Sequence, residues 1–366
     1  MQSPTEFDFD GAIASDHAQG VWTWMVRDLA PDLIDIEAAD DTPTNVLALE
    51  SLMPELLARA KTAIAEAESK PEAMRRLRTA VGGDEVWSRL PVVITALRCR
   101  GLLEKAQAFG RAANSMADEA ALALALQSMP LNDQPVAALL FQAAVGQVTA
   151  PARLIMAAIR IAGVPAEAAL GRAGFFPLID AIFAHAQAQT PPLMQSGTFS
   201  DMDLICRSVD RFHRLMRSVT GYVELVRNGR WAMIAAALTK SLSDRLEPKL
   251  RDVAPDINQA LRRREGTDRL DADQVLSALN GMYLLATVRD SRDSLAVNAV
   301  FDQTWSQVGQ ALEIHIERLL LQVRQHPGDK VVSARLDAAL KMAEVRFGAD
   351  YADAMRRAKG TVERRA

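Results

Sequence analysis

The sequence predicts an all-α protein in two parts: a solenoid-like N-terminal helical array, then an antiparallel helical bundle. From Asp118 to Gln189, alanine-rich apolar runs with helical spacing alternate with prolines and glycines. Aromatic residues make up only 5% of the 366 residues, and good helix formers are abundant. Apolar residues in steps of three and four continue through the second half, which favours long packed helices there.

The first part of the chain is acidic, and its elements follow one another closely. Residues 1–14 are predicted to be a disordered acidic leader, and 15–189 the helical array. A helix begins at Ser15 or Asp16 and runs to Ala30, where Pro31 stops it. Residues 1–70 contain 14 Asp and Glu against 4 Lys and Arg, a net charge of −10 that could attract a basic surface.

Residues 190–199 are predicted to be a linker, because two prolines and a glycine stand among small polar residues there. The bundle then covers 200–366 and ends in a basic tail. Its first helix reaches about Arg227, a second spans Arg230–Glu247, and Pro255 is expected to open a shorter one.

Two apolar stripes near the end predict a helical hairpin. The first stripe is Val297, Phe301, Trp305, Val308, Leu312, Ile316, Leu319 and Val323, and the second is Val332, Leu336, Leu340, Ala343 and Phe347. Helices with such stripes bury them against each other. We therefore expect the helix over 294–324 to pack against the one that follows it.

Catalytic signatures are missing from the sequence. It has no phosphate-binding glycine loop, nucleophile elbow or HExxH, and its two cysteines, Cys99 and Cys206, have no metal-like spacing. Asp40-Asp41 and the Asp290/Asp293 pair are explained by turns and a helix start rather than by magnesium–diphosphate chemistry. His315 is expected to be a packed residue rather than a ligand. We expect no cofactor and no metal, and an enzyme is the less favoured class.

The chain is expected to reside in the cytoplasm without a membrane span. Its acidic N-terminus lacks the basic and then apolar order of a secretory signal. The uncharged run Gln134–Ala152 has the length of a span, but its glutamines and its two prolines favour a buried helix instead.

Two surfaces are candidates for binding a partner. Trp22, Trp24 and Met25 lie on an amphipathic helix, and aromatic anchors dominate many interfaces. The alternative is that these side chains cover the protein's own core. Arg207, Arg211, Arg214 and Arg217 line one helix face, which could hold an acidic protein or a nucleic acid, or could be a solvated, salt-bridged face.

These features favour a non-enzymatic adaptor or scaffold that acts through helix faces. Its partner would be a protein, and the long C-terminal helices could also make it a homo-oligomer. A nucleic-acid-associated regulator that uses the arginine face is the first alternative. An all-helical enzyme with a buried apolar pocket is the second.

Overall fold

The computed structural model describes residues 7–34, 43–194, 201–262, 269–326 and 328–365. These residues form α-helices with short π- and 3-10 turns, and no β-strand occurs among them. The all-α prediction is confirmed. The solenoid-like stacking of the first part and the antiparallel bundle of the second stay predictions.

The first ten helices are short except for α2. A π-helical turn, Met25–Leu29, continues α1. The bounds are α1 Ser15–Trp24, α2 Pro43–Ser69, α3 Pro71–Val81, α4 Asp84–Arg98, α5 Arg100–Ala113, α6 Glu119–Gln127, α7 Gln134–Val145, α8 Ala152–Ala162, α9 Glu167–Arg172 and α10 Phe176–Gln187.

The later helices are longer. A 3-10 turn, Pro191–Met194, precedes them, and another, Arg292–Ser294, lies between the third and fourth of them. The bounds are α11 Met202–Thr220, α12 Arg230–Leu261, α13 Ala272–Ser291, α14 Asn298–Gln325, α15 Lys330–Phe347 and α16 Ala349–Arg365. The basic tail predicted at the end is thus helical as far as Arg365.

The chain divides into two compact units. Among the described residues, the N-terminal unit comprises those in 8–150 and 156–184, and the C-terminal unit comprises residue 7 and those in 151–155 and 185–365. Within the predicted linker, Leu193 is buried in the 3-10 turn, which packs on α11 and α12. The rest of that linker, 195–199, lies outside the described residues.

One core of the N-terminal unit lies between its first four helices. Met25, Leu56, Val81 and Leu90 are fully or almost fully buried there. Close approach is possible because α1 has a glycine, Gly20, where a Cβ would stand 2.5 Å from the Val81 carbonyl oxygen. The segment is therefore fixed to α3 by backbone contact as well as by apolar burial.

The end of the predicted leader has a defined course, unlike the disordered segment that its acidic sequence predicts. Phe9 is 2% exposed, and Gly11 adopts a φ of +72° against the backbone of Ala138. Asp8 forms an ion pair with Arg89. Burial of the Phe9 side chain anchors this segment, although its acidic composition favours disorder.

The second helix of the C-terminal part is continuous, which corrects the predicted break before Pro255. Both Pro248 and Pro255 lie inside α12, and both are exposed. The carbonyls that lose their hydrogen bonds belong to Asp244 and Arg251, also on exposed residues, so water can satisfy them. The apolar stripe passes both prolines without a gap: Leu238, Leu242, Leu246, Leu250, Val253, Ile257 and Leu261 are all buried.

Four helices of the C-terminal unit form a ring. Helix α12 packs on α13 and α14, and α15 packs on the same two helices. Two hydrogen bonds connect α12 to its neighbours. Ser277 Oγ on α13 donates to Asp256 Oδ2 on α12 at 3.0 Å, and the Ala296 amide, just before α14, donates to Ser243 Oγ on α12 at 2.9 Å. Helix α11 lies against α13, and α16 lies against α14 and α15. The sides of α11 and α14 that face away from these neighbouring helices carry solvent-exposed residues.

Candidate functional site

The N-terminal tryptophans lie against the chain's own core. Trp24 is 4% exposed and Met25 is 0% exposed, while Trp22 is half-buried against the same apolar cluster. Helix α1 packs on α3 and α4, and the π-helical turn packs on α2. Trp24 and Met25 therefore offer no surface to a partner. The alternative role, covering the core, accounts for both residues.

The four arginines of α11 are on one side of the helix, opposite a row of buried residues. Asp203 and Asp210 share that side: the Arg207 guanidinium lies 2.7 Å from the Asp203 carboxylate, and that of Arg214 lies 2.5 Å from Asp210. Both pairs have the i, i+4 spacing that stabilises a helix modestly. The buried side consists of Ile205, Val209, Phe212, Leu215, Met216 and Val219.

The other two arginines give α11 its excess of positive charge. Arg211 is half-buried; burial and the neighbouring Arg214 lower the pKa of its guanidinium, and Asp210 opposes that shift. Arg217 is exposed in the last turn, where the helix dipole favours a cation. Four arginines against two aspartates leave the helix with a net charge of +2.

Exposed apolar side chains follow directly after the arginines. Tyr222, Val226 and Met233 are 43%, 56% and 58% exposed, in the loop after α11 and the first turn of α12. A tight turn shapes the loop: Asn228 has a φ of +62°, and the Gly229 amide donates to the Val226 carbonyl at 2.8 Å. We name this region the corner surface: Arg207, Arg211, Arg214, Arg217, Tyr222, Val226 and Met233.

Sequence reasoning found the arginines of the corner surface but missed its apolar part. The Asn228-Gly229 pair was available as a turn signal. Apolar residues next to such a turn are ordinarily directed inward, and only tertiary structure decides that these three point outward. The exposure of Tyr222 therefore could not be predicted from residue spacing alone.

A second arginine–aromatic cluster ties α14 to α15. The Arg346 guanidinium lies 4.3 Å from the ring centroid of Trp305 and 4.9 Å from that of Phe347. Its Nε donates to the Trp305 carbonyl at 3.1 Å. Burial lowers the pKa of Arg346, Arg289 contributes in the same direction, and Glu313 opposes the shift. Because it links two helices, we assign this cluster a stabilising role.

His315, which the sequence predicts to be a packed residue, and His213 are both engaged in hydrogen bonds. His315 Nε2 lies 2.9 Å from Asn258 Oδ1, and Arg318 Nη2 lies 2.8 Å from His315 Nδ1. His213 Nδ1 lies 3.0 Å from the Ser294 hydroxyl. Within the described ranges, no three His, Cys, Asp or Glu side chains are grouped so that they could hold a metal ion.

The candidate acidic pairs are not brought together as a site. Asp290 pairs with its neighbour Arg289 at 2.9 Å, and it ends α13 instead of beginning a helix as the sequence predicts. Asp293 lies in the following 3-10 turn. Asp40-Asp41 lies outside the described residues.

Both cysteines are free and half-buried. Burial raises the pKa of the Cys206 thiol, a hydrogen bond with Thr287 opposes the shift, and Asp203 raises it further. A thiol with a raised pKa is a poor nucleophile at neutral pH.

Across the part of the chain that the structure describes, every helix is too short or too polar to cross a membrane. The uncharged run 134–152 covers α7 and the loop after it, and only its last residue, Ala152, belongs to α8. No known protein family, curated protein or solved structure matches this chain.

Proposed function

We propose that this chain is a non-enzymatic adaptor that binds an acidic segment of a partner protein on the corner surface. The observation that supports the proposal is that an exposed arginine face along α11 is followed in the chain by three exposed apolar residues, in the next loop and the first turn of α12. Arginine, tyrosine and methionine are enriched in protein interfaces. The cytoplasm is the proposed location, which the two free thiols favour.

The charge balance of the corner surface favours a protein partner over a nucleic acid. Asp203 and Asp210 already neutralise two of the four arginines. A nucleic acid would bring its phosphates against those same carboxylates, and its affinity depends on many simultaneous phosphate contacts. A carboxylate-bearing helix with apolar side chains could instead pair with the exposed Arg217 and cover Tyr222.

The test replaces the exposed arginines by an uncharged residue of similar length. The variant Arg207→Gln/Arg214→Gln/Arg217→Gln is compared with Arg251→Gln/Arg292→Gln/Arg356→Gln, in which three other exposed, ion-paired arginines of the same unit change. Each protein is used as bait in a native extract, once untreated and once treated with nuclease, and bound proteins are quantified by mass spectrometry. A captured partner is then purified and titrated against all three baits.

We expect the corner variant to lose at least tenfold in affinity for the partner, while the control variant binds like the wild type. Surface variants of this kind leave the fold intact because exposed ion pairs contribute little stability, and circular dichroism checks that. Equal affinity of all three baits for every captured protein contradicts the proposal. Capture that disappears on nuclease treatment contradicts it in favour of the nucleic-acid alternative.

A further inference from the structure

The outer side of α14 is exposed along its whole length. Its exposed residues are Gln303, Gln307, Gln310, Ile314, Glu317, Arg318, Leu321 and Gln325. Ile314 is 63% exposed and Leu321 is 53% exposed. Because they are seven residues apart, they stand on one line along the helix, about 10 Å from each other. We name this side the outer face of α14.

The two charges of the outer face flank that apolar line. Consecutive residues are about 100° apart around a helix, so Glu317 lies on one side of the line and Arg318 on the other. Neither forms an ion pair within 4.0 Å among the described residues, although Arg318 Nη2 donates to His315 Nδ1 at 2.8 Å and to the Leu261 carbonyl at 3.4 Å. A guanidinium has five N–H donors, so further donors remain for a carboxylate.

This arrangement is complementary to itself in one orientation. In a parallel pair of α14 helices related by a two-fold axis, Ile314 meets Ile314 and Leu321 meets Leu321 across the seam. Glu317 of each copy then faces Arg318 of the other. In an antiparallel pair, by contrast, Glu317 would face Glu317 and Arg318 would face Arg318. Interhelical charge pairs of this kind set partner choice and orientation in coiled coils.

We propose that the outer face of α14 is a self-association surface, and that its occupant is α14 of a second copy of this chain in parallel orientation. The other residues near the apolar line are glutamines, which carry no charge. Glu313 and Arg324 are also exposed, but they lie farther from the line, on the side of Glu317. Contacts of one helix per copy are small, so we expect a weak dimer. The surface is distinct from the corner surface, and self-association goes beyond the proposed adaptor function.

The test is sedimentation equilibrium of the full chain up to a few hundred micromolar. The variant Ile314→Gln/Leu321→Gln is compared with Leu276→Gln/Tyr283→Gln, a matched control with two exposed apolar residues, also seven apart, on α13. Glu317→Lys is a third variant, in which two cations face each other across the seam. We expect a reversible wild-type dimer, a dissociation constant raised at least tenfold in the α14 variants, and no change in the control.

Orientation is tested with Gln310→Cys in a Cys99→Ser/Cys206→Ser background. In the parallel pair the two thiols are near each other and oxidise to a disulfide-linked dimer. In an antiparallel pair they are about 20 Å apart and do not. A wild-type chain that stays monomeric overturns the proposal. So do a control that dissociates as much as the α14 variants, α14 variants that dimerise normally, and a dimer without the Gln310→Cys cross-link.

Discussion

At the scale of single residues, a glycine and an asparagine of the α5 region fix its contact with α7 and the loop after α7. Gly110 has no Cβ, and one placed there would stand 2.3 Å from the Ala144 carbonyl oxygen. Asn114, at the end of the same helix, donates to the Gln147 carbonyl at 2.9 Å and accepts from the Thr149 amide at 2.8 Å. Helix α5 is thus held by backbone proximity and by one asparagine.

Replacing Gly110 by alanine is therefore expected to destabilise the N-terminal unit. The clash is with backbone, which cannot rotate away, and overpacking of this kind costs about 1–3 kcal/mol. Gly101→Ala on the same helix is the control. Nothing lies within 4 Å of a Cβ there, and alanine favours helix by up to about 1 kcal/mol. Urea unfolding of both variants measures the difference; equal effects would contradict the close contact.

The buried imidazole of His315 makes stability depend on pH. Arg318 donates to Nδ1, so Nε2 carries the proton and donates to Asn258. Burial and then the Arg318 charge lower the pKa of His315 from its ordinary value of 6.5. The unfolded chain therefore binds a proton below about pH 6.5 that the folded chain does not.

We expect the free energy of unfolding to fall as the pH drops below about 6.5. This residue contributes at most about 1.4 kcal/mol per pH unit to that loss. His315→Gln retains an amide that can donate to Asn258 and cannot titrate. The variant should therefore lose less stability than the wild type between pH 7 and pH 5 in chemical unfolding. Parallel losses in the two proteins would show that His315 does not couple folding to protons.

At the scale of elements, α12 shows how a buried stripe prevails over helix breakers. An interior proline removes one hydrogen bond and disfavours helix by about 3 kcal/mol relative to alanine. The stripe from Leu238 to Leu261 buries seven apolar side chains, each of which contributes about 1.5–3 kcal/mol. Burial on that scale outweighs the effect of two prolines on the exposed side.

The continuity of α12 predicts the effect of changing Pro255 to alanine. In a continuous helix the variant gains a hydrogen bond to the Arg251 carbonyl and should be about 1–3 kcal/mol more stable. If a helix began at Pro255 instead, the proline would be well placed and alanine would bring no gain. Pro71→Ala, at the start of α3, is the control for that second case. Thermal unfolding distinguishes the two.

The apolar stripes could be predicted from the sequence, but the continuity of α12 through Pro255 could not. Val308, Leu312 and Ile316 are buried, as their spacing of three and four predicts. At Pro255 the local helix propensity predicts a break, whereas the apolar period predicts a continuous helix, and the structure follows the period. The period reports tertiary burial, which supplies most of the stability of a helix within a protein.

At the scale of the whole molecule, composition and periodicity identified the all-α class because both are averaged over many residues. Individual surface residues are different, because their exposure depends on which helices pack together. The arginines of α11 were found by spacing, whereas Tyr222 and Ile314 were not. An apolar side chain on the solvent side of a helix becomes evident only when the neighbouring helices are in place.

The central claim is that the corner surface binds another protein. The most direct measurement introduces a photo-crosslinking benzophenone amino acid at Tyr222, 43% exposed, or at the control Tyr283 on α13, 53% exposed. After irradiation of living cells, we expect a covalent complex with a partner protein from position 222 and none with that partner from position 283. The absence of any complex from position 222, or the same complex from both positions, would contradict the account.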